Sequence, residues 1–212
     1  MGQAWLFLRG PAPCRPGGVN WEKSICQFRV ILVGESRVGK TSLVLRLTED
    51  KFSVSVQQTI GVDYYAHMLE TPSMLRVKLQ VCDTAGQKEL RTMTGSYLQV
   101  MLGGLLVFDI TNRHSLDYIR NWLDEASDLF DQCKYVFILV GHKSDLSAER
   151  TVSTEEAEKF AEDSGLRYIE TSAKDNTNIQ EVFHMLAASI AEMVKPKIKG
   201  GIAETRLVIF NR

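Results

Sequence analysis

The stretch Gly34–Thr41, GESRVGKT, constrains this chain more than any other. It matches the pattern G-x-x-x-x-G-K-[ST] and stands between a strand-like run, QFRVILV (27–33), and a helix-like one, KTSLVLRLT (40–48), which is the setting the pattern requires. Glycines there let backbone N–H groups wrap an anion at a helix N-terminus, Lys40 can neutralise outer phosphates, and the Thr41 hydroxyl can ligate magnesium. A plain tight turn is the bland alternative, and the strand–loop–helix context speaks against it.

The rest of the chain repeats that rhythm. Apolar runs VDYYAHML (62–69) and LRVKLQVC (75–82) flank a Thr71-Pro72-Ser73 turn, and GGLLVFDI (103–110) follows. A helix is expected over Ser115–Phe130, a strand over Tyr135–Gly141, a capping box at Ser153 and Glu156, and a helix over Ile179–Met193. Strands that are nearly all apolar need cover on both faces, so the pattern reads as a mostly parallel α/β sheet with helices on each side. Ligands in such sheets gather at the strand C-termini.

Composition limits the alternatives. At 212 residues, 44% hydrophobic and 24% charged, the chain suits one domain with a real core. The net charge of −1 hides a split. Both ends are basic, whereas residues 28–193 carry 17 basic and 24 acidic side chains, so a basic nucleic-acid face has no support. Cys14, Cys26, Cys82 and Cys133 are too scattered for a zinc site or a disulfide framework, and a reducing compartment is expected. No run is long enough for a signal-peptide core or a membrane helix. Residues 9–18, RGPAPCRPGG, hold three of the five prolines, so 1–24 is expected to be a flexible arm, with a domain over 25–194 and a variable basic tail over 195–212.

Three further loops follow strand-like runs. DTAGQ (83–87) offers an acid at a strand end, suited to hold magnesium, and Gly86, whose backbone N–H can approach a terminal phosphate. GHKSD (141–145) places Lys143 and Asp145 two apart; a carboxylate accepts the N1 and N2 donors of guanine, while adenine presents an acceptor at N1 and no N2 amine. The Lys143 stem can cover the base. ETSAK (170–174) puts small residues where backbone N–H groups can reach the guanine carbonyl.

Taken in this order and spacing, these motifs resemble the Ras-superfamily small GTPases. IGVDY (60–64), KLQVC (78–82) and LVFDIT (106–111) resemble Rab segments, and FDITNR, LVGHKSDL and YIETSAKD resemble the Rab-thirty-nine and Rab-forty-two branch. The resemblance spans about Gln27–Met193. It implies the P-loop NTPase small G-domain, a six-stranded mostly parallel sheet with helices on both faces, holding GTP or GDP with Mg2+ and hydrolysing GTP slowly unless a partner helps. Nucleotide contacts are implied for Gly34, Ser36, Arg37, Val38, Gly39, Lys40, Thr41, Ser42, Phe52, Thr59, Gly86, His142, Lys143, Asp145, Leu146, Ser172, Ala173 and Lys174. Metal contacts are implied for Thr41, Thr59 and Asp83, catalytic roles for Gln87, Lys40 and Thr59, and an effector-facing triad for Tyr64, Cys82 and Tyr97. The implied partners are a GTPase-activating protein, a guanine-nucleotide exchange factor and effectors of vesicle traffic, for a monomer in the cytoplasm or on the cytoplasmic face of an endomembrane.

The chain departs from that pattern at four places. His142 stands where most relatives carry Asn, Arg37 where they carry glycine or a small residue, and Cys82 in place of the triad tryptophan, with Lys88-Glu89-Leu90 replacing an acidic-basic-aromatic run. Such Rabs normally end in cysteines for prenyl attachment, but none follows Cys133, so membrane association is expected to be peripheral and weak. Arg37, His142 and Cys82 leave open a second reading, a nucleotide-binding interaction scaffold that hydrolyses poorly. An ATPase or small-molecule kinase built on the same loop is a third.

Overall fold

Strands that are apolar on both faces must be sandwiched, and the chain supplies the two outer layers itself. The structure, a computed structural model, describes residues 24–71, 76–86, 100–126, 135–199 and 208–211. Its elements are β1 (Ser24–Val33), α1 (Lys40–Glu49), β2 (Val62–Glu70), β3 (Arg76–Thr84), β4 (Gly103–Asp109), α2 (Arg113–Ala126), β5 (Val136–His142), a 3-10 segment (Ser144–Glu149), α3 (Thr154–Asp163), β6 (Arg167–Thr171), α4 (Ile179–Lys199) and β7 (Val208–Asn211). The main path of the sheet runs β2-β3-β1-β4-β5-β6. Every neighbouring pair on it is parallel except β2 with β3.

Side-chain alternation along the central strands divides the core in two. Phe28, Val30 and Leu32 of β1 and Leu105 and Val107 of β4 pack with Leu43, Val44 and Leu47 of α1 and Phe183, Leu186 and Ile190 of α4. Ile31, Val33, Leu106 and Phe108 point the other way, onto Leu116, Ile119 and Trp122 of α2 and Ala157 and Ala161 of α3. All of β4 is buried, which is why its sequence shows no polar alternation.

The register lines up the functional ends of the strands. Leu32 of β1 is level with Asp83 of β3, and Asp109, His142 and Thr171 form one row across β4, β5 and β6. The site residues therefore share the C-terminal edge of the sheet.

Two elements differ from the sequence expectation. α4 continues past Met193 to Lys199, and Val208–Asn211 form a seventh strand, antiparallel to Ser24–Gln27, within the stretch expected to be variable tail. The pairing is possible because β4 begins opposite Val30, leaving the first half of β1 with an open edge on that side. Half of the expected capping box is present at α3, where the Ser153 hydroxyl accepts from the Glu156 N–H at 3.1 Å while the Glu156 carboxylate accepts from Arg113. Residues 1–23, the Pro72-Ser73 part of the hairpin turn, Gln87–Tyr97, and Phe130 lie outside the described residues.

Candidate functional site

The first turn of α1 is built to receive an anion. Its N-cap, Gly39, sits at φ 100°, a conformation that favours glycine, and makes no side-chain cap; no acidic residue stands in the first turn. A Cβ at Gly39 would also meet the His142 ring at 2.5 Å, so the loop must stay bare there. The first-turn N–H groups consequently remain available to a ligand. Lys40 is buried and its Nζ donates to the carbonyls of Gly34 and Glu35, both at 2.9 Å. Those bonds arch the loop around the ammonium. Burial pulls its pKa down to about 8, against the opposing pull of Asp83 and Glu35.

Beside it, three oxygen-bearing side chains converge. The Thr41 hydroxyl donates to Asp83 Oδ2 at 2.7 Å and lies 2.9 Å from the Thr59 hydroxyl, which is itself 3.4 Å from the same carboxylate oxygen. Asp83 is fully buried, and among the described residues its Oδ1 has no hydrogen-bond partner. Burial raises its pKa, opposed by Thr41, Lys40 and Thr59. A buried carboxylate oxygen without a donor is costly unless a cation serves it. Hard oxygen ligands of this kind suit magnesium. Gly86 passes so close to the backbone of Ser36 that a side chain at that position would strike it, which brings β3's following loop against the phosphate loop.

The opposite end of the cleft is tied together by its own polar groups. Asp145 Oδ1 accepts from the Ser172 hydroxyl at 2.6 Å, and its Oδ2 is 3.7 Å from Lys174 Nζ. Lys143, at φ 64°, sends its ammonium to Asp109 Oδ2 at 2.6 Å, leaving its stem along the cleft wall. Asp109 is held in turn by Thr111, whose N–H and hydroxyl both reach Oδ1. His142 is buried, with Nδ1 2.9 Å from the Thr171 hydroxyl. Burial, reinforced by Lys143, pulls its pKa down to about 4, so the ring is neutral at physiological pH.

One cleft of about 690 Å³ joins these parts. Its walls carry Ser36, Arg37, Gly39, Lys40, Thr41 and Ser42 from the first loop, Phe52 and Thr59, Gly86, and His142, Lys143, Asp145, Leu146, Ala173 and Lys174. Of the other expected contacts, Gly34 and Val38 are buried beneath the loop, and Ser172 is buried behind Asp145.

Residues 29–192 match the Ras family. The chain is 47% identical over 175 residues to Ras-related protein Rab-39A of Homo sapiens, covering 81% of each chain. It is 43% identical over 171 residues to Ras-related protein rab-39 of Caenorhabditis elegans, covering 79% of this chain and 75% of that one. Against Ras-related protein Rab-8A of Bos taurus the identity is 39% over 173 residues, with 82% and 83% covered. The chain belongs to the Rab family of small GTPases, in its Rab39 branch.

For a Rab, the departures have readable surroundings. Arg37 is exposed and sits at φ 69°, a left-handed conformation that costs an ordinary side chain roughly 1 kcal/mol, which accounts for glycine being usual there. Cys82 is buried, in register with Tyr64 across β2 and β3; burial raises its thiol to about 12, opposed by a hydrogen bond with Tyr64. Tyr64 is 55% exposed, so of this pair the tyrosine alone offers surface. Gln87 and Tyr97 lie outside the described residues.

Two contributors escaped the sequence reading. Residues Ser53, Val54, Val56, Gln57 and Gln58, between Phe52 and Thr59, also line the cleft; their position between two motif residues was the available signal. Arg46 of α1 donates to the carbonyls of Ala173 at 2.7 Å and Lys174 at 3.1 Å. Nothing in a helical LVLRLT run marks one arginine as reaching a loop over 120 residues away.

Proposed function

We propose that this Rab is a switch that binds GTP and GDP in the cleft, hydrolyses GTP, and presents different surfaces to effectors of vesicle traffic in the two states. The observation that carries the reading is the meeting, on one cleft, of an uncapped helix N-terminus, a buried Lys40, an unserved Asp83 oxygen and an Asp145 carboxylate. The first three answer to a polyphosphate with its cation. Asp145 answers to guanine, whose paired N–H donors a carboxylate accepts.

Thr41, Thr59 and Asp83 would hold magnesium, which supplies charge neutralisation for the outer phosphates when bound. Lys40 stabilises charge that develops on the departing phosphate, and the bare first turn of α1 binds the phosphate oxygens. Gly86 offers its N–H to the terminal phosphate, and Gln87 orients the attacking water. Loss of that phosphate releases Thr59 and Gly86, the anchors of two loops, and the effector surface around Tyr64 changes with them. Unaided turnover is slow, and a partner's arginine would add about 10³ to 10⁵ in rate. Action on the cytoplasmic face of an endomembrane follows from the same reading; no helix among the described residues is long and apolar enough to cross a membrane.

The test is nucleotide content: the purified protein, denatured, should release GDP or GTP, and EDTA should speed that release. A protein purified with magnesium that holds no guanine nucleotide would overturn the reading. Arg37 at a left-handed φ, with His142 and Cys82, supports the second reading, a scaffold that binds nucleotide but hydrolyses it poorly. Single-turnover hydrolysis separates the two, since a Gln87→Leu rate equal to wild type leaves only the scaffold.

A further inference from the structure

We infer that Arg46 is a positioning residue for guanine recognition, setting the backbone of the loop that meets the base oxygen; the inference rests on the proposed guanine-nucleotide reading and assigns its base specificity a further member. The side chain is 15% exposed although it leaves the surface of a helix. Its three nitrogens are all engaged. Nε donates to the Ala173 carbonyl at 2.7 Å, and one terminal nitrogen to the Lys174 carbonyl at 3.1 Å. The other donates to the Asp50 carbonyl at 2.9 Å and meets Asp50 Oδ1 at 3.1 Å.

The geometry exploits what distinguishes a guanidinium from an ammonium, a rigid planar fork with several donors in fixed directions. Two adjacent carbonyls gripped by one fork fix the peptide planes that contain them. The N–H groups of the same loop are then fixed as well, because each peptide plane carries the carbonyl of one residue and the N–H of the next. On its other side the loop is held by the Ser172–Thr177 bridge and by the Ser172 hydroxyl, which serves both Asp145 and the Asp175 N–H. Arg46 closes the remaining side.

The third partner residue extends the effect. Asp50 is the C-cap of α1, at φ 51°, and the chain leaves it for Lys51 and Phe52, the latter on the cleft wall. One side chain thus braces both the base loop and the start of the segment leading to Thr59. Pulling that segment away would loosen the base loop through the same guanidinium.

The decisive measurement is stopped-flow release of ribose-labelled fluorescent GDP, compared with the equivalent diphosphate of 2-aminopurine riboside, which lacks the base oxygen and the N1–H that accompanies it, so each variant is compared with wild type on the same nucleotide. Arg46→Ala should release GDP about tenfold faster or more, since hydrogen bonds from a charged group are lost, while release of the oxygen-free analogue changes less than about twofold. Arg46→Lys, whose single ammonium can reach one carbonyl well, should fall between, at about threefold, and it carries the comparison should Arg46→Ala fail to fold. Equal acceleration of both nucleotides would mean general loosening and would overturn the inference. Unchanged GDP release would overturn it too. A wild-type chain that holds no guanine nucleotide overturns the underlying reading instead, and that outcome is visible before any variant is made.

Discussion

The phosphate end and the base end of the cleft are organised on opposite principles. At the base end each polar group already has an internal partner: Asp145 with Ser172, Lys143 with Asp109, His142 with Thr171, and the loop carbonyls with Arg46. At the phosphate end a buried ammonium stands with a lowered pKa beside a buried carboxylate with a raised one and an oxygen without a partner. The first arrangement is complete without a ligand and therefore rigid before one arrives. The second is stable only in part and gains most when phosphate and cation enter. Identity of the nucleotide is thus set by preorganisation, and tightness by unmet charge.

The largest effect should come from turning base recognition against itself. Asp145→Asn presents an amide N–H or a single oxygen to two guanine donors, and preference for GTP over xanthosine triphosphate should fall by about 10³ to 10⁴, in a competition assay. The Ser172 bond can persist to the amide oxygen, so thermal stability of the ligand-free protein should barely move. A large drop in stability would break the claim that the base end is complete in itself.

Next comes Lys40→Ala, at the other end. Removing a buried charge from beside Asp83 costs about 3–5 kcal/mol, equivalent to about 10² to 10⁴ in nucleotide affinity, read by titration with fluorescent GDP. Asp83→Asn sharpens the contrast because it should act with two signs. Magnesium-dependent slowing of GDP release should shrink by about 10- to 100-fold, as for groups that support a metal site, while the ligand-free protein should melt higher once the unserved buried charge is gone. A lower melting temperature would mean that the carboxylate is already satisfied without a cation.

The two ends were also unequally legible. GESRVGKT and DTAGQ act through local chain geometry, glycines and a helix start, and local geometry is what short motifs encode. The mostly parallel sheet and the burial of β4 followed from nearly unbroken apolar runs, although the order in which the strands pair did not. The base end depends on side chains that meet across the sheet: Lys143 found Asp109 on the neighbouring strand, and Arg46 found a loop over 120 residues distant. Cys82, expected on an effector face, proved to be interior, because its side of β3 packs with Ile31 and Leu106. Alternation alone cannot say which side of a strand the sheet will cover. The return of Val208–Asn211 to β1 was hidden likewise, since the open edge that receives it exists only once β4 has paired.

His142 offers the smallest of these effects and the most specific. Its ring is wedged between Gly39 and Thr171, where burial holds its pKa at about 4 against an ordinary 6.5. The folded protein therefore binds this proton more weakly than the unfolded chain does. Stability from the neutral ring is complete above pH 6.5 and is lost as pH falls from there toward 4, in the direction linkage requires when the unfolded state takes up more protons. By pH 5 the loss amounts to about 2 kcal/mol. His142→Asn, the residue usual in relatives, has no such proton to gain. In urea titrations of the ligand-free proteins at pH 7.5 and pH 5, wild type should lose about 2 kcal/mol more than the variant. Because the ring packs on the phosphate loop, GDP release should accelerate over the same window in wild type alone. Parallel pH profiles would show that the ring is not sealed in, and that the two ends of the cleft are less different than their hydrogen bonds imply.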